Sequence, residues 1–364
     1  MQKHLTLVLG SVLMACLATI ALSFTKVEAS VCQANAQPVR VPVSVPATDS
    51  NGNPTNIANF VNTRSPDATR QAFQLPPGRY PVNALIILRA GDALSGAVPS
   101  GTPRMVGPAT DPDPITKLVN GAGLESLIGL RGDNAITWLD MSGADYKGRP
   151  GGGSAISAGS GNDNTLIQFN WIHENGAAGI TNARGHILDN EIDHNTTESA
   201  ALGSIGSGVK GMNEYEAGCN YVHDNLGNGL WGDVLMKDTA VGSFNVHHNY
   251  LLHNGRAGVR HERNECSGAE FNAVGNLIEN NGWESVRGGV SIHDACDGPR
   301  SYVSNNSFSG YAGNLAVRIT DSGRSDRPDT KNVTVENNTM GGNIVKLGSG
   351  VSASADNIVI RNNN

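Results

Sequence analysis

The 364-residue sequence predicts an all-β solenoid, a stack of coils built from short strands, with a short cap at its N-terminal end. Forty-five glycines and many asparagines separate short apolar segments, which indicates strands joined by tight turns. A triplet of asparagine, any residue and an apolar residue recurs at intervals of 20 to 32 residues. A second phrase, in which a glycine and an apolar residue precede an alternating segment, follows most triplets. Coils that bury their apolar side chains against neighbouring coils explain this pattern.

The asparagine triplets mark one turn of each coil. Their leading residues are Asn170, Asn190, Asn220, Asn249, Asn276, Asn306 and Asn338. Another asparagine lies five positions after six of these seven. Asparagine tolerates the left-handed conformation of tight turns, and stacked amides can hydrogen-bond along a column. We therefore interpret these asparagines as structural, together with the histidines beside them (His173, His194, His223 and His253).

The N-terminal segment has the pattern of a secretory signal peptide. A basic start, MQKH, precedes an apolar run and the exit TKVEA, so we predict cleavage after Ala29 and a secreted or periplasmic protein. An uncleaved membrane anchor is the alternative. Cleavage leaves 24 basic and 32 acidic residues. This acidic balance argues against nucleic acid as a partner. We expect a monomer with no membrane partner after cleavage.

Four cysteines remain after cleavage, an even number that suits an oxidising compartment. Cys266 and Cys296 lie eight and seven positions after aligned glycines, so they should stack on adjacent coils and form a disulfide. Cys32 and Cys219 would form the remaining pair, and a free buried thiol at Cys219 is an equal alternative.

The Asn-rich coils resemble the right-handed parallel β-helix repeats of the pectin lyase-like superfamily. The resemblance covers residues 126–364 and implies a single-stranded right-handed parallel β-helix. Upstream, FQLPPGRYPVNALIILRAGDALSG (residues 73–96) is similar to the opening strands of that superfamily. The predicted organisation is a signal peptide (1–29), a region of cap, first coils and inserted loop (30–125), and the repeats (126–364). Residues 56–62 are the predicted capping helix, and residues 97–125 the inserted loop.

Alternation after the aligned glycines tells which side chains point outward. The position after each glycine is apolar and therefore inward, and the next position must point outward. The inward residues are Ile180, Val209, Leu230, Val259 and Val290. The outward columns contain Thr181, Lys210, Trp231, Arg260, Ser291 and Arg318, then Ala183, Met212, Asp233, Glu262, His293 and Thr320. Because adjacent coils lie about 4.8 Å apart, the sequence predicts one wall with an exposed tryptophan beside cations and acids.

This wall has the groups that a polysaccharide lyase or epimerase needs. Such an enzyme removes the proton beside the carboxylate of a uronic acid, so it needs a cation to neutralise that carboxylate and a base. Superfamily lyases often use Arg or Lys as the base, which makes Arg260 the first candidate and Lys210 the second. His293 would act as an acid or orient the substrate. Trp231 would stack on a sugar ring, and Arg318 would also contact the polysaccharide.

Asp233 and Glu262 are the predicted metal ligands. Two carboxylates on adjacent coils repel each other unless a cation lies between them, so the lyase interpretation includes Ca²⁺ as its cofactor.

Two other functions remain open on the same fold. A glycoside hydrolase needs two carboxyl groups at a set separation, and Asp233 with Glu262, or Asp294 in reserve, would supply them. The clustered aspartate motif expected of the superfamily's galacturonan hydrolases is not found, which lowers this interpretation. The third is a non-catalytic secreted solenoid that binds carbohydrate or coats a surface.

Overall fold

The structure is a computed structural model, and it describes the chain from residue 40 onwards with short gaps. The described residues are 32, 40–63, 69–100, 115–148, 152–158, 164–182, 184–202, 205–213, 215–236, 243–262, 270–284, 288–310, 315–323, 325 and 329–364. Apart from Cys32, all belong to one compact unit, Ala36–Asn364. The predicted signal peptide lies outside the described residues. Within them, every helix is too short or too polar to span a membrane.

The described chain consists almost wholly of short strands. In chain order they are β1 (Val41–Ser44), β2 (Gln71–Gln74), β3 (Gly78–Val82), β4 (Ile86–Ile87), β5 (Ala93–Ser95), β6 (Thr116–Asn120), β7 (Ser126–Leu130), β8 (Ala135–Thr137), β9 (Asp140–Ser142), β10 (Ser154–Ala158), β11 (Leu166–Gln168), β12 (Trp171–His173), β13 (Ala178–Thr181), β14 (Gly185–Leu188), β15 (Glu191–Asp193), β16 (Ser207–Asn213), β17 (Tyr215–Gly218), β18 (Tyr221–His223), β19 (Asn228–Met236), β20 (Ser243–His247), β21 (Tyr250–Leu252), β22 (Val259–Glu262), β23 (Glu270–Val274), β24 (Leu277–Glu279), β25 (Val290–His293), β26 (Cys296–Ser304), β27 (Ser307–Ser309), β28 (Leu315–Thr320), β29 (Lys331–Glu336), β30 (Ile344–Leu347) and β31 (Val359–Arg361). A helix, α1 (Ile57–Asn62), and a single 3₁₀ turn, Ser199–Ala201, complete the described elements.

Every third strand along most of the chain joins the same sheet, and all strand pairs within the three sheets are parallel. The twelve-stranded sheet runs β1-β2-β5-β8-β11-β14-β17-β20-β23-β26-β29-β31. The ten-stranded sheet runs β4-β7-β10-β13-β16-β19-β22-β25-β28-β30, and the nine-stranded sheet runs β3-β6-β9-β12-β15-β18-β21-β24-β27. The predicted right-handed parallel β-helix is therefore confirmed, with one strand of each sheet in each coil.

The apolar core fills the space between the three sheets. The predicted inward column of the ten-stranded sheet is buried, and Val209, Leu230, Val259 and Val290 are each 0% exposed. Strand pairing joins these residues in register on successive coils. The glycine before each one is required by close packing, because a Cβ atom at Gly229 would lie 2.6 Å from the carbonyl oxygen of Gly258. The repeated glycine thus sets the spacing of the coils.

The repeated asparagines form two buried ladders along the solenoid. One runs through Asn170, Asn190, Asn220, Asn249, Asn276, Asn306, Asn338 and Asn363, and the other through Asn175, Asn195, Asn225, Asn254 and Asn281. Each amide nitrogen donates to the amide oxygen of the next rung at 2.8–3.0 Å. The structural interpretation of these residues is correct.

Of the two expected reasons for asparagine at these turns, amide hydrogen bonding along the column is right and the left-handed conformation is wrong. The left-handed residue is the one before the ladder asparagine, for example Asp189 (φ 52°), Cys219 (φ 53°) and Asp224 (φ 49°). Asparagine is selected for its amide, which donates and accepts between coils where the backbone alone leaves polar groups unpaired.

Asp189 gives a testable pH effect at one of these turns. Burial raises the pKa of its carboxyl to about 6, although a hydrogen bond from the Gln168 amide (2.8 Å) opposes the shift. Because the folded pKa lies above the ordinary carboxyl value of 3.8, the stabilisation is fully present below that value and is lost as pH rises through about 6. We expect Asp189→Asn to increase the free energy of unfolding by about 1–2 kcal/mol at pH 8, a figure reduced for partial solvation.

Urea denaturation at pH 8 and pH 4 measures this effect. The gain should disappear near pH 4, where the wild-type carboxyl is protonated. Asp49→Asn is the matched control, because Asp49 is fully exposed and backbone hydrogen bonds from Asn53 and Asn51 lower its pKa. An equal gain for Asp189→Asn at both pH values would show that backbone conformation, not charge burial, is responsible.

The N-terminal cap is present as predicted. The Asn56 side chain accepts a hydrogen bond from the Asn59 amide (3.0 Å) and so begins α1. At its other end the Asn62 side chain donates to the Leu85 carbonyl (2.8 Å) and accepts from the Ile87 amide (2.9 Å). The helix thus supplies hydrogen-bond partners to backbone groups at the edge of β4, the first strand of the ten-stranded sheet.

Residues 97–125 are not simply the inserted loop that composition predicts. They include β6, whose Leu118 is fully buried and whose register joins it to β3 and β9. Alternation around Leu118 marks a coil strand, and the surrounding glycine-rich and proline-rich segments obscured it. Residues 101–114 lie outside the described part of the chain.

Cys219 and Cys296 are both disulfide-bonded. The alternative of a free thiol at Cys219 is therefore wrong. Cys266 lies outside the described residues, so its pairing with Cys296 stays a prediction.

Candidate functional site

The register of the ten-stranded sheet brings the predicted residues onto one wall. Strand pairing places Lys210 opposite Trp231, and Trp231 opposite Arg260. The second column places Asp233 opposite Glu262. We call these five residues the charged cluster. Their assembly from three separate coils is the arrangement that the sequence predicts.

The prediction that Trp231 is exposed is wrong. Its side chain is 2% exposed, and the other members of the charged cluster are 3–8% exposed. The Lys210 Nζ atom lies 3.8 Å from the centroid of the indole, and the Arg260 Cζ atom lies 4.5 Å from it. Because the two cations come from the coils on either side, they cover the indole as cation–π partners. No open face remains on Trp231 for stacking on a sugar ring.

Each carboxylate of the charged cluster has its own cation. The Lys210 Nζ atom lies 2.9 Å from Asp233 Oδ2, and the Arg260 guanidinium contacts Glu262. These pairs explain how four charged side chains are buried together, since buried ions need direct partners. They also provide the positive charge that two stacked carboxylates require.

Arg260 is the most perturbed cation of the cluster. Burial lowers the pKa of its guanidinium, while Glu262 and Asp233 act in the opposite direction. Arg256 also lowers this pKa by repulsion and is itself ion-paired with Glu284 at 3.5 Å. A lowered pKa brings an arginine closer to the behaviour of a base.

Three buried polar atoms of the charged cluster have no hydrogen-bond partner among the described residues. They are Trp231 Nε1, Asp233 Oδ1 and Arg260 Nε. Buried polar groups in native proteins are nearly always hydrogen-bonded, and exceptions concentrate where ligands bind. Two donors and one acceptor on one small surface suit a polar ligand such as a sugar.

His293 and Arg318 lie at the margin of the cluster. His293 is paired in register with Glu262, and its side chain is 25% exposed. Its Nδ1 atom lies 2.8 Å from the Thr320 hydroxyl. Arg318 is separated from Arg260 by Ser291 on the strand between them, so it does not belong to the contact cluster. The reserve carboxylate Asp294 is 0% exposed and accepts hydrogen bonds from the Ser322 amide and hydroxyl.

A second group of titratable residues lies on the outer face of the nine-stranded sheet. We call it the histidine wall: Asp140, His173, Glu191, Asp193 and His223. The Nε2 atom of His173 lies 2.9 Å from Asp140 Oδ1, and that of His223 lies 3.0 Å from Glu191 Oε1. Burial acts to lower the pKa of both histidines, but the adjacent carboxylates reverse this and leave each pKa raised.

Sequence reasoning missed the histidine wall because it treated histidines near the ladder turns as structural. A signal was available in the three-residue strands WIH, EID and YVH, which follow ladder asparagines. Their central residues are buried, so their first and third residues share the outer face. Aligning these strands would have placed His173, Asp193 and His223 in one column.

Among the described residues, the tryptophan with a largely exposed ring is Trp283, which the sequence analysis did not single out. Its side chain is 49% exposed. The indole Nε1 atom donates to the His253 carbonyl at 3.0 Å, and the ring stacks on the His253 imidazole at 5.5 Å. Trp283 is adjacent to Glu284, the ion-pair partner of Arg256. A fixed, exposed indole on this side of the solenoid is a suitable sugar-stacking surface.

Comparison with known proteins finds distant structural similarities. No protein-family model matches the chain, and no curated protein sequence does. A variant of the catalytic domain of a GH87 α-1,3-glucanase, in complex with nigerose, is 17% identical with a TM-score of 0.45 over 91% of this chain. The chain spans 58% of that domain.

Two other solved structures are similar at the level of the fold. The A-module of the Azotobacter vinelandii mannuronan C-5 epimerase AlgE6 is 16% identical, with a TM-score of 0.35 over 84% of this chain and 93% of the module. PfbA, a surface adhesin of Streptococcus pneumoniae, is 13% identical, with a TM-score of 0.35 over 80% of this chain and 74% of PfbA. These similarities concern the fold alone, and the parallel β-helix itself is established by the strand pairing of the three sheets.

Proposed function

We propose that this protein is a secreted carbohydrate-active β-helix protein that acts on an acidic, uronic-acid-containing polysaccharide at the charged cluster. The observation that carries the proposal is the joint burial of Lys210 and Arg260 against Trp231, with unpartnered polar atoms beside them. Two buried cations suit an anionic sugar, because exclusion of water strengthens their attraction for a carboxylate.

The proposed reaction begins at the carbon that bears the sugar carboxylate. Lys210 neutralises this carboxylate and so acidifies the proton beside it. Arg260, in the neutral form that it reaches by losing one guanidinium proton to solvent, accepts the proton. In a lyase, the electron pair forms a double bond and expels the oxygen of the next sugar, with His293 as the proton donor. In an epimerase, a proton returns from the opposite face and no bond of the chain breaks. The partial exposure of His293 makes its end of the cluster the entry for substrate.

The calcium ion of the lyase interpretation does not fit Asp233 and Glu262. Calcium binds oxygen ligands that are free to coordinate it, whereas Lys210 and Arg260 already occupy these two carboxylates. No step of the proposed reaction therefore depends on a metal ion at this position.

The hydrolase interpretation is weaker for a related reason. A glycoside hydrolase needs one carboxyl group that carries a proton in the resting enzyme. Both Asp233 and Glu262 are instead ion-paired with cations of the cluster, so neither is positioned to give a proton to a glycosidic oxygen.

A product assay tests the proposed function. Purified protein is incubated with pectate, alginate and a neutral glucan, each with and without a calcium chelator. Lyase activity gives ultraviolet absorbance from the new double bond, and epimerase activity gives deuterium incorporation from D₂O without that absorbance. Either result on an acidic polymer supports the proposal. Reducing ends without absorbance, or turnover of the neutral glucan alone, would overturn it.

Trp283 favours a second function, carbohydrate binding without catalysis. We expect Trp283→Ala to weaken polysaccharide binding by about 10-fold, since loss of one aromatic contact costs about 1–1.5 kcal/mol beyond area burial. Affinity electrophoresis in gels that contain each polymer measures the change. Trp138→Ala is a poor control because Trp138 has a positive φ, so Tyr302→Ala, which removes an exposed ring from another sheet, is used instead. Equal retardation of wild type and Trp283→Ala would exclude Trp283 from binding.

A further inference from the structure

We propose that Glu191, Asp193 and His223 form a binding site for a transition-metal ion, with Zn²⁺ or Mn²⁺ as the cation. One ligand atom from each of the three side chains lies within 4.8 Å of the other two. The site lies on the nine-stranded sheet, away from the charged cluster, and does not depend on the proposed function.

Two adjacent coils build the site. Glu191 and Asp193 are the two outward residues of β15, and His223 lies opposite Asp193 on β18. The three side chains are 7–10% exposed, so each is about nine-tenths buried. Acidic side chains on an open surface are solvated and separate from one another. The strand register keeps these three ligands close together.

The orientation of His223 is that of a metal ligand with a supporting carboxylate. Its Nδ1 atom lies 2.8 Å from Asp224 Oδ2, and Asp224 also contacts His253 Nδ1 at 2.6 Å. A metal-binding histidine commonly donates one ring N–H to a carboxylate and directs its other nitrogen to the ion. In the tautomer that donates Nδ1–H to Asp224, Nε2 can bind an ion on the side of Glu191.

The contact between His223 and Glu191 is the position that an ion would occupy. Nε2 and Oε1 are 3.0 Å apart, and a cation bound there would replace the hydrogen bond between them. Two ligands that bind one ion at about 2.1 Å are about 3.0 Å apart at a right angle and about 3.4 Å apart at the tetrahedral angle of Zn²⁺. A divalent cation therefore fits this gap without a large movement of either side chain.

Asp193 completes the ligand set from a fixed position. The Trp171 indole donates to its Oδ1 atom at 2.6 Å, and the exposed His194 lies 2.5 Å from its Oδ2 atom. An imidazole with two carboxylates suits Zn²⁺ or Mn²⁺ better than Ca²⁺, which prefers oxygen ligands throughout.

Calorimetric titration of the metal-stripped full chain tests the site, with Zn²⁺, Mn²⁺ and Ca²⁺ as separate probes. We expect one Zn²⁺ or Mn²⁺ per chain, a higher melting temperature with the ion, and little response to Ca²⁺. Glu191→Gln and His223→Ala should each weaken binding by at least 10-fold to 100-fold. His186→Ala is the matched control, because His186 is a similarly buried histidine that contacts a carboxylate, Glu216, on a different sheet.

Circular dichroism of each variant without metal checks that it is folded. If His223→Ala does not fold, metal binding by Glu191→Gln alone tests the site, because this substitution keeps the size of the side chain. Absence of Zn²⁺ and Mn²⁺ binding by the folded wild type would overturn the proposal. So would unchanged binding in Glu191→Gln, which would assign the ion to the exposed histidines His194 and His253.

Discussion

Replacement of Arg260 by alanine is expected to lower the turnover of an acidic polysaccharide by about 10²- to 10⁴-fold, the usual contribution of a positioned base. The buried guanidinium lies against Trp231 and Glu262, and burial lowers its pKa. Initial rates on the polymer identified by the product assay measure the loss.

The alanine variant also disturbs the fold, so a second substitution is needed. Without Arg260, Glu262 would be a buried carboxylate without its cation, which costs about 3–5 kcal/mol. Arg260→Lys retains a positive charge for Glu262 but moves the reacting nitrogen. It should therefore keep most of the stability and still lose most of the activity.

Arg300→Ala is the control for a general effect of removing an arginine. Arg300 hydrogen-bonds to Asn357 at the outer face of the twelve-stranded sheet, so its loss should leave turnover unchanged. Retained activity in both Arg260 variants would refute the role of Arg260 as base and would transfer that role to Lys210.

The charged cluster shows how far strand alternation predicts a site. The period of two fixes the direction of each side chain, and the aligned glycines fix the register, so the grouping of Lys210, Trp231 and Arg260 could be predicted. The burial of these side chains could not be predicted, because it depends on how the neighbouring side chains pack against them. The same stacking that placed two cations next to Trp231 also covered its ring.

The histidine wall shows the opposite error. The asparagine ladder was correctly predicted to be structural, and that interpretation was extended to the neighbouring histidines. His173 and His223 are outward residues of three-residue strands, whereas His194 and His253 occupy the left-handed turn position. Strands this short give too little alternation to separate these two classes by pattern. Once the structure defines the coil, the position of each histidine relative to the ladder asparagine shows to which class it belongs.

Asn220→Ala is expected to have the largest effect on stability, a loss of about 3–5 kcal/mol in the free energy of unfolding. The Asn220 amide donates to the Ile187 carbonyl (2.8 Å) and to Asn249 Oδ1 (3.0 Å). Its oxygen accepts from the backbone amide and side chain of Asn190, both at 3.0 Å. Alanine fills none of these positions, so buried donors and acceptors on the two neighbouring coils lose their partners.

Urea denaturation followed by circular dichroism measures this loss, and position along the ladder provides the control. Asn363 is the last rung, with a ladder partner on one side only, so Asn363→Ala should cost less than half as much. Asn59→Ala, an exposed helix position, should change stability by less than about 0.5 kcal/mol. A cost below about 1 kcal/mol for Asn220→Ala would show that the ladder contributes little.

Asn220→Ala is also expected to change the shape of the unfolding curve. Each coil contacts only its neighbours, so the stability of the solenoid is approximately the sum of coil and interface contributions. A mid-ladder break weakens the interfaces that join the coils before Asn220 to those after it. We therefore expect the single transition of the wild type to broaden or divide in Asn220→Ala and to remain single in Asn363→Ala. An equally sharp transition in both variants would mean that the apolar core alone maintains cooperativity between the coils.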